Sequence, residues 1–324
     1  MQKIDAHIHF YGDHPECLQL LERLDVKLLN ICVPTDNQGR WREQAEVYQK
    51  LATTAPDRFA WCTGFDLPRF DDPDYVDKVI DGLKQDFAAG AIACKIWKNI
   101  GMEVRKPSGE FLLIDDPLFD PIYEYLTKED ITLLLHMAEP LACWQPLNEN
   151  QPHYRYYRDH PEWHMYNKPE YPSHQTLIDA RDRVVAKYPQ LRVVGAHLAS
   201  LEYDVAEVAK RLERYPNFAV DPSARLMDLT YQDPQVVRQF FQDYADRILF
   251  GTDIVRQQSF AALAETERQA WLAQTEERYR SDFAYYETSE RMTIRGREVQ
   301  GLGLPADVLE KFYVTNAQTW YPGL

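Results

Sequence analysis

Cysteine is scarce in this sequence, and its few occurrences follow no pattern. The 324 residues include five cysteines, and no two of them are separated by two residues as in a C-x-x-C motif. An odd number of irregularly spaced thiols is a poor basis for a disulfide framework or a cysteine-based metal site. We therefore expect reduced, buried thiols and a cytoplasmic protein.

Positive charge and long apolar runs are also scarce. The sequence has 36 Lys and Arg residues and 51 Asp and Glu residues, which gives a formal net charge of −15. This balance argues against nucleic acid or an anionic membrane surface as a partner. No apolar run approaches the roughly 20 residues of a membrane span, and the first residues show no signal-peptide pattern. We expect the ligand to be a small molecule.

Eight short apolar segments alternate with helical patterns. They lie at residues 3–10, 26–34, 58–65, 91–98, 131–140, 191–200, 218–224 and 247–255. Strands that alternate with helices form right-handed β-α-β units in a parallel sheet, and eight units predict a closed (β/α)8 TIM barrel. The alternative is a doubly wound open sheet, but no glycine-rich turn follows the first segment. No linker divides the chain, so we predict a single domain over residues 1–324.

Three segments are longer than ordinary connections. Residues 99–114 follow the fourth strand and resemble a hairpin, and residues 141–172 follow the fifth strand and are rich in aromatics. The histidines of the second loop have no assigned role; they are His153, His160 and His164. Residues 256–300 form a polar, helix-rich excursion after the eighth strand. Its charge pattern indicates a solvated face or a subunit contact, and the second alternative would make the protein a homodimer.

Two histidines stand on the first strand. His7 and His9 occur in "IDAHIHF", residues 4–10. Residues two apart in a strand point to the same side, so both imidazoles face one way. Alone, this pattern does not separate a metal site from a strand that carries two hydrogen-bonded histidines.

Three more polar residues stand near the ends of other strands. His136, His197 and Asp253 lie near the carboxyl ends of strands five, six and eight. A single strand histidine is more often a hydrogen-bonded core residue than a ligand. In a closed barrel, however, strand eight neighbours strand one, and all five side chains can face one point. Neutral imidazole and carboxylate suit Zn²⁺ or a similar divalent ion.

The motifs together resemble those of the amidohydrolase superfamily, within its amidohydrolase-related branch that includes aminocarboxymuconate-semialdehyde decarboxylase. The matching segments are "DAHIHF", "LLLHMAEP", "VVGAHLAS", "LFGTDIV" and the closing "LPADVLEKFYVTNAQTWY". The resemblance implies that His7, His9, His136 and Asp253 are metal ligands. It implies that His197 is a catalytic residue beside the metal, or a ligand of a second ion.

Lys95 lies on the predicted inner face of strand four. Some members of the superfamily carboxylate a strand-four lysine that bridges two metal ions, whereas the branch resembled here usually leaves it unmodified. We predict an unmodified ammonium and one divalent ion, Zn²⁺, with two ions if Lys95 is carboxylated. An unmodified Lys95 would need a buried carboxylate partner, such as Asp5 or Asp221.

Four residues are candidates for contact with the substrate. They are Lys95, Trp97, Asn99 and Arg225. Arg225 follows strand seven and could bind a substrate carboxylate through its planar guanidinium. The alternative for Arg225 is an ordinary surface ion pair.

Three functions are compatible with these residues. In a metal-dependent hydrolase, metal-bound hydroxide would attack an amide, lactone or ester carbonyl, with Asp253 transferring the proton and His197 stabilising the oxyanion. In a non-oxidative decarboxylase, the same site would hold a small aromatic or unsaturated carboxylic acid. In the third case the barrel would bind metal without catalysis. The residues favour the hydrolase, and the sequence does not name the substrate.

Overall fold

A parallel sheet of eight strands forms the centre of the molecule. The structure is a computed structural model that describes residues 2–35, 39 and 41–324. The strands are β1 (Lys3–Phe10), β2 (Val26–Ile31), β3 (Phe59–Thr63), β4 (Ala91–Ile96), β5 (Thr132–Leu135), β6 (Val193–Gly195), β7 (Phe218–Val220) and β8 (Val255–Arg256). Strands β1 to β7 pair in chain order, and β8 pairs with the other edge of β1.

Residues 247–256 connect the two edges of this sheet. The Leu249 N–H donates to the Val220 carbonyl of β7 at 2.9 Å, and the Asp253 N–H donates to the His7 carbonyl of β1 at 2.8 Å. Only the last two residues of the segment form a regular strand, because the earlier hydrogen bonds are irregularly spaced. The predicted TIM barrel is confirmed.

Helices surround the barrel. They are α1 (Pro15–Leu24), α2 (Arg42–Thr54), α3 (Tyr75–Ala88), α4 (Asn99–Met102), α5 (Asp120–Lys128), α6 (Tyr154–Asp159), α7 (His174–Lys187), α8 (Ala196–Ala199), α9 (Val205–Arg214), α10 (Leu226–Leu229), α11 (Pro234–Asp243), α12 (Glu265–Glu287), α13 (Ala306–Glu310) and α14 (Asn316–Trp320). The excursion after strand eight contains α12 and an antiparallel hairpin of β9 (Arg291–Ile294) and β10 (Arg297–Gln300). No helix in the described part of the chain has the length and apolar character needed to cross a bilayer.

Apolar side chains fill the barrel interior near the amino-terminal ends of the strands. Most strands contribute small or branched residues there, and α14 closes this end with Trp320 and the following Tyr321. A second, larger apolar layer lies between the strands and the helices. All five cysteines are buried free thiols, as expected from their irregular spacing.

A β-bulge in β1 places the two strand histidines inside the barrel. Pairing with β2 advances three residues along β1 between Asp5 and Ile8, but only two along β2. Ala6 packs in the inner layer, whereas Ile8 packs in the outer layer. Strict alternation from Ala6 would have turned His7 and His9 outward. The extra residue reverses the alternation and turns both imidazoles toward the barrel axis.

Candidate active site

His7, His9 and Asp253 meet at the carboxyl end of the barrel. The Asp253 Oδ1 atom lies 3.3 Å from His9 Nε2 and 3.9 Å from His7 Nε2. One ligand atom from each of the three residues lies within 4.8 Å of the others. Both imidazoles are buried, whereas the Asp253 side chain is 22% exposed. The carboxylate is therefore the member of this cluster that water can reach.

The hydrogen bonds of His9 leave its Nε2 atom without a proton. His9 Nδ1 lies 2.6 Å from the Ile31 carbonyl oxygen, which can only accept, so Nδ1 carries the hydrogen. Burial lowers the pKa of His9 and favours the neutral ring. Its Nε2 lone pair then faces the Asp253 carboxylate. Two acceptors that face each other at this distance create a place for a cation.

His7 presents a lone pair to the same place. Its Nδ1 lies 3.0 Å from Asp221 Oδ2, and its Nε2 lies 3.2 Å from Lys95 Nζ. Since the carboxylate accepts and the amine donates, His7 carries its hydrogen on Nδ1. Lys95 thus contacts His7, while Asp5 bonds to other groups and does not serve as its partner. Burial lowers the pKa of Lys95, and the charges of Asp253 and Asp221 partly offset that effect.

His136 and His197 form a hydrogen-bonded pair on the neighbouring wall. His197 Nδ1 lies 2.8 Å from the Ser223 carbonyl and therefore carries a hydrogen. Its Nε2 accepts from His136 Nδ1 at 3.2 Å. Burial holds the pKa of both histidines well below the usual value, which keeps both rings neutral. His136 Nε2 is consequently a buried lone pair, and it has no hydrogen-bond partner.

This donor set fits a divalent metal ion. His7, His9 and His136 each offer an unprotonated Nε2 atom, and Asp253 offers a carboxylate oxygen. Imidazole nitrogen with carboxylate oxygen is typical of Zn²⁺ and similar ions. The structure places the first two histidines and Asp253 in one cluster and His136 beside His197, whose ring lies 4.8 Å from that of His7.

An unusual backbone turn holds His197 in place. Residues 197–200 all have φ between 55° and 59°, a left-handed conformation that costs roughly 1–2 kcal/mol for each non-glycine residue. The Leu198 N–H donates to the Asp221 carbonyl at 2.6 Å, and Ser200 Oγ donates to the Met137 carbonyl at 2.5 Å. Gly195 is required below this turn, because a Cβ there would lie 2.7 Å from that of Ala199. Surrounding contacts thus enforce a strained turn at the pocket.

Sequence reasoning missed the central position of Asp221 and Ser223. It considered Asp221 only as a partner of Lys95. Asp221 instead bonds to His7, to the His197 N–H at 3.2 Å and to Ser223. These contacts outweigh the effect of burial and lower the pKa of Asp221 to about 2. The available signal was its position two residues after Ala219, which faces the barrel interior.

The candidate substrate residues have different surroundings. The Trp97 ring lies 6.5 Å from the His136 ring and 6.0 Å from the Trp163 ring, so it borders the site. Asn99 is buried, and its amide donates to the Pro34 carbonyl at 3.0 Å. That contact gives Asn99 a structural role in the loop after β4.

Arg225 is buried and forms no ion pair with the described residues. Its side chain donates to the Ala224 carbonyl at 3.1 Å, and its Nε atom has no partner. The residue is only 8% exposed, so the surface ion pair that the sequence left open is not formed. A buried guanidinium without a counter-ion is costly unless a ligand supplies the charge.

The loop of residues 141–172 is attached to the rim of the site. His153 Nε2 lies 2.8 Å from Asp228 Oδ1, and the Tyr157 hydroxyl donates to Glu139 Oε2 at 3.0 Å. Glu139 also pairs with the buried Lys98. His153 therefore joins the loop to the segment after β7.

The other two loop histidines make local contacts. His164 Nε2 lies 2.9 Å from the Gln145 carbonyl, and His160 pairs with Glu162 on the surface. Both contacts remain within the loop or its base. Neither histidine is hydrogen-bonded to His7, His9 or Asp253.

Several solved structures share the fold at low sequence identity. An uncharacterised TIM-barrel protein from Bordetella bronchiseptica is 15% identical with a TM-score of 0.54, covering 100% of this chain and 99% of that one. 4-Oxalomesaconate hydratase from Rhodopseudomonas palustris is 13% identical with a TM-score of 0.53, covering 99% and 96%. A dihydroxybenzoic acid decarboxylase from Polaromonas sp. JS666, with bound manganese, is 16% identical with a TM-score of 0.51, covering 86% and 97%.

One protein-family model matches nearly the whole chain. Among curated protein sequences, none matches this chain. The model of the amidohydrolase family, in contrast, matches residues 4–323. This range includes every strand of the barrel except the first residue of β1, and it includes all five residues predicted for the metal site. The chain therefore belongs to the amidohydrolase superfamily, whose members are metal-dependent enzymes.

Proposed function

We propose that this protein is a metal-dependent hydrolase that cleaves a C–N or C–O bond of a small substrate bearing a carboxylate. The observation that carries the proposal is the position of Asp253. Its carboxylate is partly exposed and lies 3.3 Å from Nε2 of His9 and 3.9 Å from Nε2 of His7, neither of which carries a hydrogen. A carboxylate in that position can bind a cation and also accept a proton from water.

His7, His9, His136 and Asp253 would hold one ion, with Zn²⁺ the best match to these donors. When bound, such an ion supplies Lewis-acid activation of water and of the scissile carbonyl. We propose that Lys95 remains unmodified, because its Nζ atom donates to His7 in a buried setting.

Asp253 would move the proton in this reaction. Its oxygen accepts a proton from the attacking water and returns it to the leaving group. His197 holds a hydrogen on Nδ1 and a lone pair on Nε2. That Nε2 lone pair can take up a proton and pass it on, so we propose His197 as a proton shuttle beside the ion.

Arg225 would bind the substrate carboxylate. The guanidinium is buried, it lacks a carboxylate partner among the described residues, and its Nε hydrogen is unused. A substrate carboxylate would supply the missing charge and fix the orientation of the substrate. Arg225→Gln should therefore raise KM for anionic substrates much more than it changes kcat.

The second candidate is a non-oxidative decarboxylase of a small aromatic or unsaturated acid. The observation in its favour is the aromatic wall of Trp97 and Trp163, whose rings lie 6.0 Å apart beside His136. Such a wall suits a planar substrate. The dihydroxybenzoic acid decarboxylase from Polaromonas shares the barrel fold, and its low identity leaves the reaction open.

One assay separates the candidates. Zn²⁺-loaded and Mn²⁺-loaded protein is incubated with lactones, amides, esters and aromatic carboxylic acids, and product formation and CO₂ release are measured in parallel. Hydrolysis without CO₂ that disappears in Asp253→Asn supports the hydrolase. CO₂ release without hydrolysis supports the second candidate. A bound ion with neither reaction across the panel would overturn both and leave a non-catalytic metal-binding barrel.

A further inference from the structure

Asp221 contacts two histidines of the site from below. Its Oδ2 atom lies 3.0 Å from His7 Nδ1, and its Oδ1 atom accepts the His197 N–H at 3.2 Å. The residue is 1% exposed, so solvent does not compete for these bonds. Asp221 therefore links the backbone of one histidine to the side chain of another.

The orientation of this carboxylate is fixed by three donors to one oxygen. Besides the His197 N–H, Oδ1 accepts the Ser223 N–H at 3.0 Å and the Ser223 hydroxyl. Two of the donors are backbone groups, which cannot act as acceptors. Whatever atom occupies the Oδ1 position must therefore be an acceptor. The other carboxylate oxygen, Oδ2, is thereby directed at His7 Nδ1.

We infer that Asp221 is a positioning residue that holds His7 with its hydrogen on Nδ1 and so keeps Nε2 available for a metal ion. The inference rests on the metal site proposed above. The carboxylate accepts the Nδ1 hydrogen on one side of the ring, and Lys95 Nζ donates to Nε2 on the other. Carboxylates that bond to ligating histidines fix ring orientation and increase ligand basicity.

A role in packing alone predicts different behaviour from a role in setting the tautomer. Asp221→Asn preserves shape, so it should be the milder change if only packing matters. In the asparagine side chain, however, the amide oxygen must take the Oδ1 position to accept the three donors. The amide NH₂ group then faces His7 Nδ1. Two donors would then face His7, the amide at Nδ1 and Lys95 at Nε2. The amide cannot turn away without losing the three bonds to the Oδ1 position, whereas the flexible Lys95 side chain can move. His7 should therefore accept at Nδ1 and carry its hydrogen on Nε2, where a metal ion needs the lone pair.

Asp221→Ala should have the opposite pattern. It leaves the His197 and Ser223 N–H groups without their acceptor, which should lower the melting temperature more than Asp221→Asn does. The Ser223 hydroxyl, 3.1 Å from His7 Nδ1, would remain as an acceptor for that hydrogen. Lys95 would still donate to Nε2, so His7 should keep the tautomer that binds metal.

The test compares the wild-type protein with Asp221→Asn and Asp221→Ala. Nitrogen NMR of metal-free protein labelled at histidine reports which ring nitrogen carries the hydrogen, with His7→Gln to assign the signal. We expect inversion of the His7 tautomer in the asparagine variant only. Competitive Zn²⁺ titration should show a 10–100-fold loss of affinity in that variant, the range for such supporting residues, and a smaller loss in the alanine variant.

The inference is supported if the two variants rank in opposite orders for melting temperature and Zn²⁺ affinity. Asp221→Asn should have the higher melting temperature, and Asp221→Ala should bind Zn²⁺ more tightly. An unchanged His7 tautomer in Asp221→Asn, or weaker binding in Asp221→Ala than in Asp221→Asn, would overturn it. Ser223→Ala is the matched control, because it removes one donor to Oδ1 but leaves both backbone donors and should not invert His7. The tautomer is measured without metal, so its outcome is separate from failure of the proposed hydrolase activity.

Discussion

The two ends of the barrel use the same strands for different purposes. At the amino-terminal end, the inner side chains are apolar, and Trp320 and Tyr321 close the interior. At the carboxyl-terminal end, the same strands present histidines, carboxylates and buried cations. In TIM barrels the carboxyl-terminal face carries the chemistry, and the opposite face mainly supports stability.

The backbone shows the same difference. Eleven described non-glycine residues have positive φ, and seven of them follow β5, β6 or β7 or lie in the segment that closes the barrel. They are Ala138, residues 197–200, Ala224 and Asp253. Such conformations cost stability and persist only where surrounding contacts enforce them. The apolar, amino-terminal end therefore stabilises a fold whose polar, carboxyl-terminal end carries backbone strain and buried charge.

The largest expected effect is on turnover at the polar end. Asp253→Asn keeps the side-chain size and one oxygen but removes the base, so turnover should fall by about 10²–10⁴ while much of the metal remains. His9→Ala or His136→Ala removes an imidazole donor and should lower the metal content. Metal content and turnover, measured on the same preparations, check these expectations.

His197→Ala should keep the ion and lose turnover. If metal content and activity fell together in this variant, His197 would be a ligand.

The next prediction destabilises the amino-terminal end of the barrel without changing a residue of the candidate site. Trp320 is 6% exposed, and its indole donates to the Asp246 carbonyl at 3.1 Å. Trp320→Ala should lower the free energy of unfolding by about 3–5 kcal/mol, as large core truncations do. Turnover per folded molecule should stay near the wild-type value below the melting transition. Chemical denaturation and kinetics at 20 °C measure the two, and a loss of turnover in fully folded protein would contradict the separation of the ends.

Much of this organisation could be predicted from the sequence. Eight alternating segments gave the barrel, and polar residues at the ends of strands five, six and eight pointed to one face. The β1 bulge was not predictable, because simple alternation from Ala6 turns His7 outward. Nor were the left-handed turn at residues 197–200 or the Asp221 contacts, since both depend on hydrogen bonds between the segments that follow β6 and β7, which the order of the strands does not specify. Local patterns report which side chains share a face, but not where an extra residue changes it.

The third effect concerns pH and a buried carboxyl at the polar end. Burial, together with the charge of Asp228, raises the pKa of Glu202 to about 7. The folded state then holds this proton more tightly than the unfolded state, so its contribution to stability is present below about pH 4.5 and is lost as pH rises to about 7. Glu202→Gln should match the wild type at pH 5 more closely than at pH 8, where it should be more stable by about 1–3 kcal/mol.

Urea denaturation of both proteins across this range checks the sign. Asp5, whose pKa burial raises to about 6, titrates in both proteins and cancels in their difference. A variant less stable than the wild type at pH 8 would mean that Glu202 is ionised and paired, in disagreement with its unpartnered Oε2 atom.

The smallest expected effect concerns backbone strain, which can be isolated by comparing an Ala-to-Gly substitution at two positions. Ala224 follows β7 at the polar end with φ of 57°, whereas Ala273 is exposed within α12. Glycine adopts positive φ without steric cost, so Ala224→Gly should raise the free energy of unfolding by about 0.5–1 kcal/mol. Ala273→Gly should lower it by about 1 kcal/mol, because a regular helix disfavours glycine. Denaturation of both variants at one pH measures this difference in sign. If both substitutions lowered the free energy of unfolding, the packing of the Ala224 methyl group would contribute more to stability than the strained backbone costs. The strain at the carboxyl-terminal face of the barrel would then lie mainly in residues 197–200.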